Sequence, residues 1–466
     1  MPGFSPRGLW ERWLAWQGGS VNRRIFAAAA AVGALTVAVK FAGFVKELLV
    51  ARQFGTGDAL DAFLIALLLP TFASNVMAGA LGSAFVPACA RTGEGRGDSS
   101  PQAFLSGTLL VTLTAFSILT MLLALAGRPL LALVASGFDP GKLDLAQSLF
   151  LVLLPSLLLS AVAALWSGLL NFRRRFALAA VSPAFVPLAV AAALLTGGRS
   201  AGVGALATGT LAGLLLQVAA LAWGVKRQGF SLAPRWHGLT PPLRQFIDQF
   251  LPMAGTLLLL SSADLVDQSM AAMLGAGSVA ALVYGGRVVS VVLGLTSMAL
   301  STAVLPHFSE MAARSDWKAL RHTLRTCVRY VFLLTVPVAL ALMLLSEPLA
   351  RLIFERGAFT ADDTRVVARV QSFLALQIPF YALVILGARL LNALGRNVVL
   401  LRIGLASTIA NVAGNALLMR RLGVAGIALS TSLVIVLSAV WMGIAVASEA
   451  RRRGAPRLAP PPVQGP

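Results

Sequence analysis

Apolar runs of about 20 residues recur along this whole chain, each long enough to cross a hydrocarbon core of roughly 30 Å. In lipid every backbone N–H and C=O must find a partner within the protein, so such runs fold as membrane helices. Strand alternation is absent, which excludes a β-barrel. Composition agrees. Of the 466 residues, 58% are hydrophobic and 12% charged, where a soluble domain carries about 25% charge. The runs predict twelve spans, near 25–45, 59–88, 103–127, 145–170, 177–197, 202–225, 246–273, 278–306, 326–346, 366–392, 398–419 and 423–447.

The chain also repeats itself. Gly55-Thr56-Gly57 precedes Ser83-Ala84-Phe85-Val86-Pro87, and Gly275-Ala276-Gly277 precedes Ser301-Thr302-Ala303-Val304-Leu305-Pro306. Leu169-Leu170-Asn171 is echoed by Leu390-Leu391-Asn392, and Val203-Gly204-Ala205-Leu206-Ala207 by Ala425-Gly426-Ile427-Ala428-Leu429. The offset is roughly 220 residues, a duplication on the scale of a lobe. The expected fold class is an all-α polytopic membrane protein, two six-helix lobes around a central cavity. An even number of spans per lobe makes both enter from the same side, the arrangement of alternating-access transporters. The corresponding organisation is a cytoplasmic N-terminal segment 1–24, a first lobe 25–225, a cytoplasmic linker 226–245, a second lobe 246–447 and a cytoplasmic tail 448–466. Met1–Ser20 has no apolar core of a signal peptide. Its Trp10, Trp13 and Trp16 suit either an interfacial helix or a solvated tail.

The net charge of +20 needs no nucleic-acid partner. Arg23-Arg24, Arg173-Arg174-Arg175, Lys226-Arg227 and Arg451-Arg452-Arg453 all fall on one side of the spans, which the positive-inside rule makes cytoplasmic. Both termini are then cytoplasmic. Phe308–Arg325, with Lys318, Arg321 and Arg325 against Met311, Leu320 and Leu324, reads as an amphipathic helix on the inner leaflet.

Charges inside spans are costly, at least about 2.5–3.5 kcal/mol each at the centre, and mark pathways or pairs. Arg287 lies well within the eighth span, after Gly285-Gly286, and suits a hydrated cavity. Lys40, Lys46 and Glu47 run along the first span toward its outer end, Lys40 deepest. Asp61 opens the second span, where a helix-start role and a functional one are equally open. Asp264 and Asp267 lie one turn apart in the seventh span, and two buried carboxylates need a cation, a proton or an Arg. Asn411 and Asn415 share a face of the eleventh span and Thr431 sits mid-twelfth. Oxygens from Asp267, Asn415 and Thr431 suit a hard cation, and equally suit interhelical hydrogen bonds. Three scattered histidines and two cysteines form no metal or catalytic set, and no phosphate-binding loop occurs. Pro70, Pro155, Pro252 and Pro379 provide bends.

One stretch of sequence carries a resemblance. Gly43-Phe44-Val45-Lys46-Glu47-Leu48-Leu49-Val50-Ala51-Arg52-Gln53-Phe54-Gly55, then Asp61-Ala62-Phe63, Leu69-Pro70 and Ala84-Phe85-Val86-Pro87, resembles the opening of the MurJ/MviN lipid II flippases. Phe354-Glu355-Arg356-Gly357-Ala358-Phe359-Thr360 with Asp362-Asp363, and Tyr284-x-x-Arg287 followed by Leu305-Pro306, resemble their second lobe. The resemblance covers about residues 25–447. It implies a flippase of the multidrug/oligosaccharidyl-lipid/polysaccharide exporter superfamily, a transporter and not an enzyme. Its substrate would be an undecaprenyl-pyrophosphate-linked sugar, lipid II first, carried from inner to outer leaflet of the bacterial inner membrane. By position it implies substrate-binding roles for Lys40, Lys46, Glu47 and Arg287, and a cation site of Asp267, Asn411, Asn415 and Thr431. No cofactor is implied beyond sodium or a proton as coupling ion. Membrane lipids and cell-wall synthesis machinery are the implied partners. Alternative readings are a flippase for another lipid-linked oligosaccharide (exopolysaccharide, capsule or O-antigen) and a cation-coupled small-molecule antiporter. Three features depart from the family pattern: twelve spans in place of fourteen, Ser74-Asn75 in place of an Arg pair, and Lys in place of Arg at 40 and 46.

Overall fold

The computed structural model describes residues 21–93, 101–197, 202–313 and 317–454. The expected N-terminal segment up to Ser20, with its tryptophans, and the tail from Ala455 lie outside the described residues. Every regular element described is helical. The helices are α1 (Val21–Phe54), α2 (Asp58–Gly93), α3 (Pro101–Val134), α4 (Pro140–Leu153), α5 (Pro155–Phe172), α6 (Phe176–Val181), α7 (Phe185–Gly197), α8 (Gly204–Arg227), α9 (Pro241–Leu260), α10 (Ser262–Ala271), α11 (Ser278–Ala313), α12 (Trp317–Leu344), α13 (Ser346–Phe354), α14 (Ala361–Ala375), α15 (Ile378–Ala393), α16 (Asn397–Leu422) and α17 (Val424–Gly454).

Among the described residues, nine helical stretches are long and apolar enough to cross a membrane, and α14 with α15 forms a tenth, bent by 40°. The remaining two expected spans coincide with α1 and with the pair α9–α10. Both are helical: the first carries one charge, Lys40, between Ile25 and Val45, and the second is broken at Ser261 and carries Asp248, Asp264 and Asp267. Among the described residues, length and apolarity by themselves account for nine or ten of the twelve.

Prolines set two of the breaks. Pro155 starts α5, where its missing N–H costs nothing but ends the hydrogen-bond ladder of α4. Pro379 does the same at the start of α15. The break at Ser261 separates α10 from α9. The expected surface helix Phe308–Arg325 is helical over 308–313 and 317–325, with 314–316 outside the described residues. Its first part continues α11 and its last part begins α12, because the helical pattern of each flanking span runs on into it.

The duplication is visible in backbone geometry. Left-handed φ values occur at Arg174 and Gly395 and again at Gly202 and Gly423, partners roughly 220 residues apart.

The chain divides into two compact units. One comprises the residues up to Gln53, Ala66–Leu131 and Leu143–Leu257; the other comprises Phe54–Ile65, Ala132–Lys142 and the residues from Leu258. In the first unit α7 packs on α8 and α5 on α8. An aromatic chain runs through its core: Phe85 stacks on Phe104 at 5.6 Å, Phe104 meets Phe246 edge-on, and Phe246 stacks on Phe250. In the second unit α16 packs on α17, and α11 on α14 and α15. Gly414 lets α16 approach α17, since a Cβ there would lie 2.4 Å from Ser430 Oγ.

Candidate functional site

Polar side chains of the second unit converge on Asp267. The short helix α10, which begins after the break at Ser261, carries it. Asp267 is buried, as are Asn411 and Asn415 of α16, which lie one turn apart on the same face. Asn415 Nδ2 donates to Asp267 Oδ1 at 2.7 Å, and at 3.5 Å to Asn411 Oδ1. Thr431 Oγ1 of α17 donates to Asp267 Oδ2 at 2.7 Å and also to the Ile427 carbonyl at 3.0 Å. Three helices are thus tied through one carboxylate. The four residues expected to share a cation site are together. Asp264 is not with them: it is exposed, so the expected pair of buried carboxylates reduces to one. Three residues apart, the two carboxylates lie about 60° from each other on α10, but the Asn415 and Thr431 donors reach only Asp267.

Chemically the cluster offers oxygens: two from Asp267, the amide oxygens of Asn411 and Asn415, and the Thr431 hydroxyl. That donor set suits a hard cation. Asn415 Oδ1 is buried and has no hydrogen-bond partner among the described residues, and a half-turn of the Asn415 amide exchanges its N–H for this oxygen at Asp267. One buried carboxylate matches one positive charge, whereas a divalent ion would leave net charge in the interior.

A second polar cluster surrounds Asp61, which is 1% exposed. Its carboxylate does not cap its own helix. It accepts from the backbone N–H of Gly277 and of Ala280, both at 2.8 Å, at the start of α11. A carboxylate at the positive end of that helix satisfies two of its orphan donors. Lys142 Nζ completes the cluster, 3.2 Å from Asp61 and 2.5 Å from Asp58, over the Phe138 ring at 4.1 Å. Thr56 donates to Asp363, whose other oxygen forms a capping box with Thr360 at the head of α14. These contacts explain why Phe54–Ile65 and Ala132–Lys142 belong to the second unit. Sequence reasoning singled out Asp61 but missed Lys142, Asp58 and Thr56: nothing in their spacing shows that distant segments meet.

The expected substrate-binding residues are divided between the units. Lys40, Lys46 and Glu47 lie on α1 in the first. Lys46 Nζ is 2.8 Å from Glu47, so these two are brought together as an ion pair. Lys40 is exposed, about 9 Å further along the helix at 1.5 Å per residue. Arg287 is half-buried on α11 in the second unit. One turn before it, Tyr284 is 2% exposed and packs against Phe354 at 5.2 Å and Phe359 at 5.7 Å. The Tyr-x-x-Arg and Phe354–Thr360 motifs therefore meet in one aromatic core that fixes the helix carrying Arg287.

The family model described as lipid II flippase MurJ matches residues 50–451. A probable lipid II flippase MurJ of Rhizobium meliloti (strain 1021) is 31% identical over 365 residues, 76% of this chain and 68% of the relative. One of Vibrio cholerae serotype O1 is 27% identical over 436 residues, 89% of this chain and 81% of its own length. Among solved structures, a lipid II flippase MurJ in an inward closed conformation superposes with a TM-score of 0.77 at 22% identity, covering 91% of this chain and 89% of that one. An inward-facing multidrug resistance MATE family transporter of the MOP superfamily gives 0.75 at 15% identity, covering 92% and 99%.

Proposed function

The chain belongs to the lipid II flippase MurJ family, and we propose that it carries lipid II from the inner to the outer leaflet by alternating access, coupled to a monovalent cation. The observation that carries the substrate is the family match over residues 50–451. What supports the coupling is the buried Asp267 cluster, whose oxygens suit sodium or whose single carboxylate suits a proton.

Lys40, Lys46 and Arg287 are the proposed contacts for the pyrophosphate. A multiply charged headgroup cannot cross hydrocarbon bare, because even one charge at the centre costs at least about 2.5–3.5 kcal/mol. Cationic side chains in hydrated surroundings replace its water. Arg287 offers a planar fork to phosphate, while Lys40 and Lys46 act as point charges. Glu47 holds the Lys46 ammonium in place. Asp267, Asn411, Asn415 and Thr431 would hold the cation, neutralising the carboxylate so that α10, α16 and α17 close around it. No covalent bond changes in translocation, so the protein acts as a transporter. The bacterial inner membrane with cytoplasmic termini is the proposed setting, in keeping with the basic runs on one side of the spans.

Complementation of a strain depleted of its lipid II flippase tests this. The wild-type chain restores growth. Arg287→Ala does not, at equal abundance in the membrane. Full rescue by Arg287→Ala removes Arg287 from the headgroup site, and failure of the wild type at normal abundance removes the substrate.

A further inference from the structure

A cavity of about 470 Å³ lies between α12, α15 and α17, away from the Asp267 and Asp61 clusters. Leu324, Val328, Leu386 and Met442 supply apolar walls, and Arg325 is the one charged residue among those lining it. Gly443 also lines it, and a Cβ at that position would meet nothing within 4 Å, so the space there is open. All three walls belong to stretches apolar enough to cross a membrane: His322–Leu344, Ile378–Asn392 and Val424–Glu449. The groove therefore borders hydrocarbon, with Arg325 in the first turn of its span.

On the α12 side the mouth carries only positive charge, while the acid near its α17 wall, Glu449, is buried and paired with Arg396 at 3.0 Å. The 28-residue helix α12 contains no Asp or Glu. His322, Arg325 and Arg329 follow at helical spacing on one face and are all exposed. Size constrains the occupant further. One turn of a helix about 10 Å wide and 5.4 Å in pitch fills roughly 420 Å³. The groove thus holds a single turn and not a membrane-spanning partner helix, whereas a flexible hydrocarbon chain with an anionic head fits both its walls and its mouth.

We propose that this groove is a binding site for an anionic phospholipid, one acyl chain between α12, α15 and α17 and the phosphate on Arg325. The site does not rest on the flippase reading. A guanidinium at the hydrocarbon boundary binds the phosphate of any phospholipid and distinguishes headgroups by net charge, since a quaternary ammonium beside the phosphate repels it and a neutral headgroup does not.

The test is lipid retention by the purified full-length protein, measured by native mass spectrometry after exchange into phosphatidylglycerol and phosphatidylcholine with the same acyl chains. Wild type is expected to retain phosphatidylglycerol over phosphatidylcholine by roughly tenfold, the order expected when only one of the two carries a cation that repels the guanidinium. Arg325→Ala should abolish the preference and Arg325→Lys restore most of it. Gly443→Phe, which fills the groove, should lose bound lipid of both kinds. Equal retention by the wild type, or an unchanged preference in Arg325→Ala, overturns the proposal. Displacement of phosphatidylglycerol by equimolar undecaprenyl phosphate overturns it in favour of a polyprenyl ligand. The arginine variants decide the question even where Gly443→Phe fails to fold.

Discussion

The two repeats share a scaffold and differ in what they bury. Stepping back roughly 220 residues from Asp267, Asn411, Asn415 and Thr431 gives Glu47, Val190, Leu194 and Thr210. In the second repeat the four form a hydrogen-bonded cluster. In the first, Val190 and Leu194 are buried apolar residues, Thr210 donates to the Leu206 carbonyl of its own helix, and Glu47 pairs with the adjacent Lys46. The same helix positions thus build plain packing in one copy and a polar site in the other. Packing alone does not require the asparagines, because the first repeat does without them. Their presence in the second marks it as the copy given a polar task.

That contrast can be broken from either side. Making the second repeat like the first, with Asn411→Val and Asn415→Leu together, should abolish any cation response of transport and leave Asp267 with Thr431 alone; transport assayed at varied sodium and pH reads this. The opposite exchange, Leu194→Asn, places an amide among apolar neighbours. An unsatisfied polar group in such surroundings costs several kcal/mol, so thermal stability in detergent should fall markedly with no new cation dependence. A smaller loss is expected from Asp61→Ala, which orphans the N–H groups of Gly277 and Ala280 and leaves Lys142 with Asp58. About 1–3 kcal/mol follows for groups left unpaired, read as a lowered unfolding midpoint, with Lys142→Met recovering part of it in the double variant. Thr431→Val should cost least, about 0.6 kcal/mol for one interhelical hydrogen bond in a membrane protein, while still weakening cation affinity measurably.

Much of the fold was legible in the sequence because lipid imposes it. Spans follow from apolar length, and the duplication follows from Gly55/Gly275 and its downstream echoes. The Asp267 cluster was legible too, since Asn411 and Asn415 at i, i+4 with Thr431 one helix later form a rare polar set in apolar spans. Other features were not. Asp264 and Asp267 look equivalent in the chain, and only the packing of α10 separates a buried acid from an exposed one. The α11 capping role of Asp61 and the counter-charge at Lys142 depend on segments 81 and more residues apart, a separation that no local pattern encodes. Phe308–Arg325 has surface-helix composition, yet its two ends are claimed by longer helices on either side.

The most direct test reconstitutes the protein into vesicles with lipid II on one leaflet and imposes a sodium or a proton gradient, comparing wild type with Asp267→Asn. Wild type should translocate lipid II faster under one of the two gradients, and Asp267→Asn, which keeps the shape of the site but removes its charge, should translocate slowly and ignore both. Translocation by wild type that neither gradient changes, or a full gradient response in Asp267→Asn, would contradict the coupling of lipid movement to this buried carboxylate.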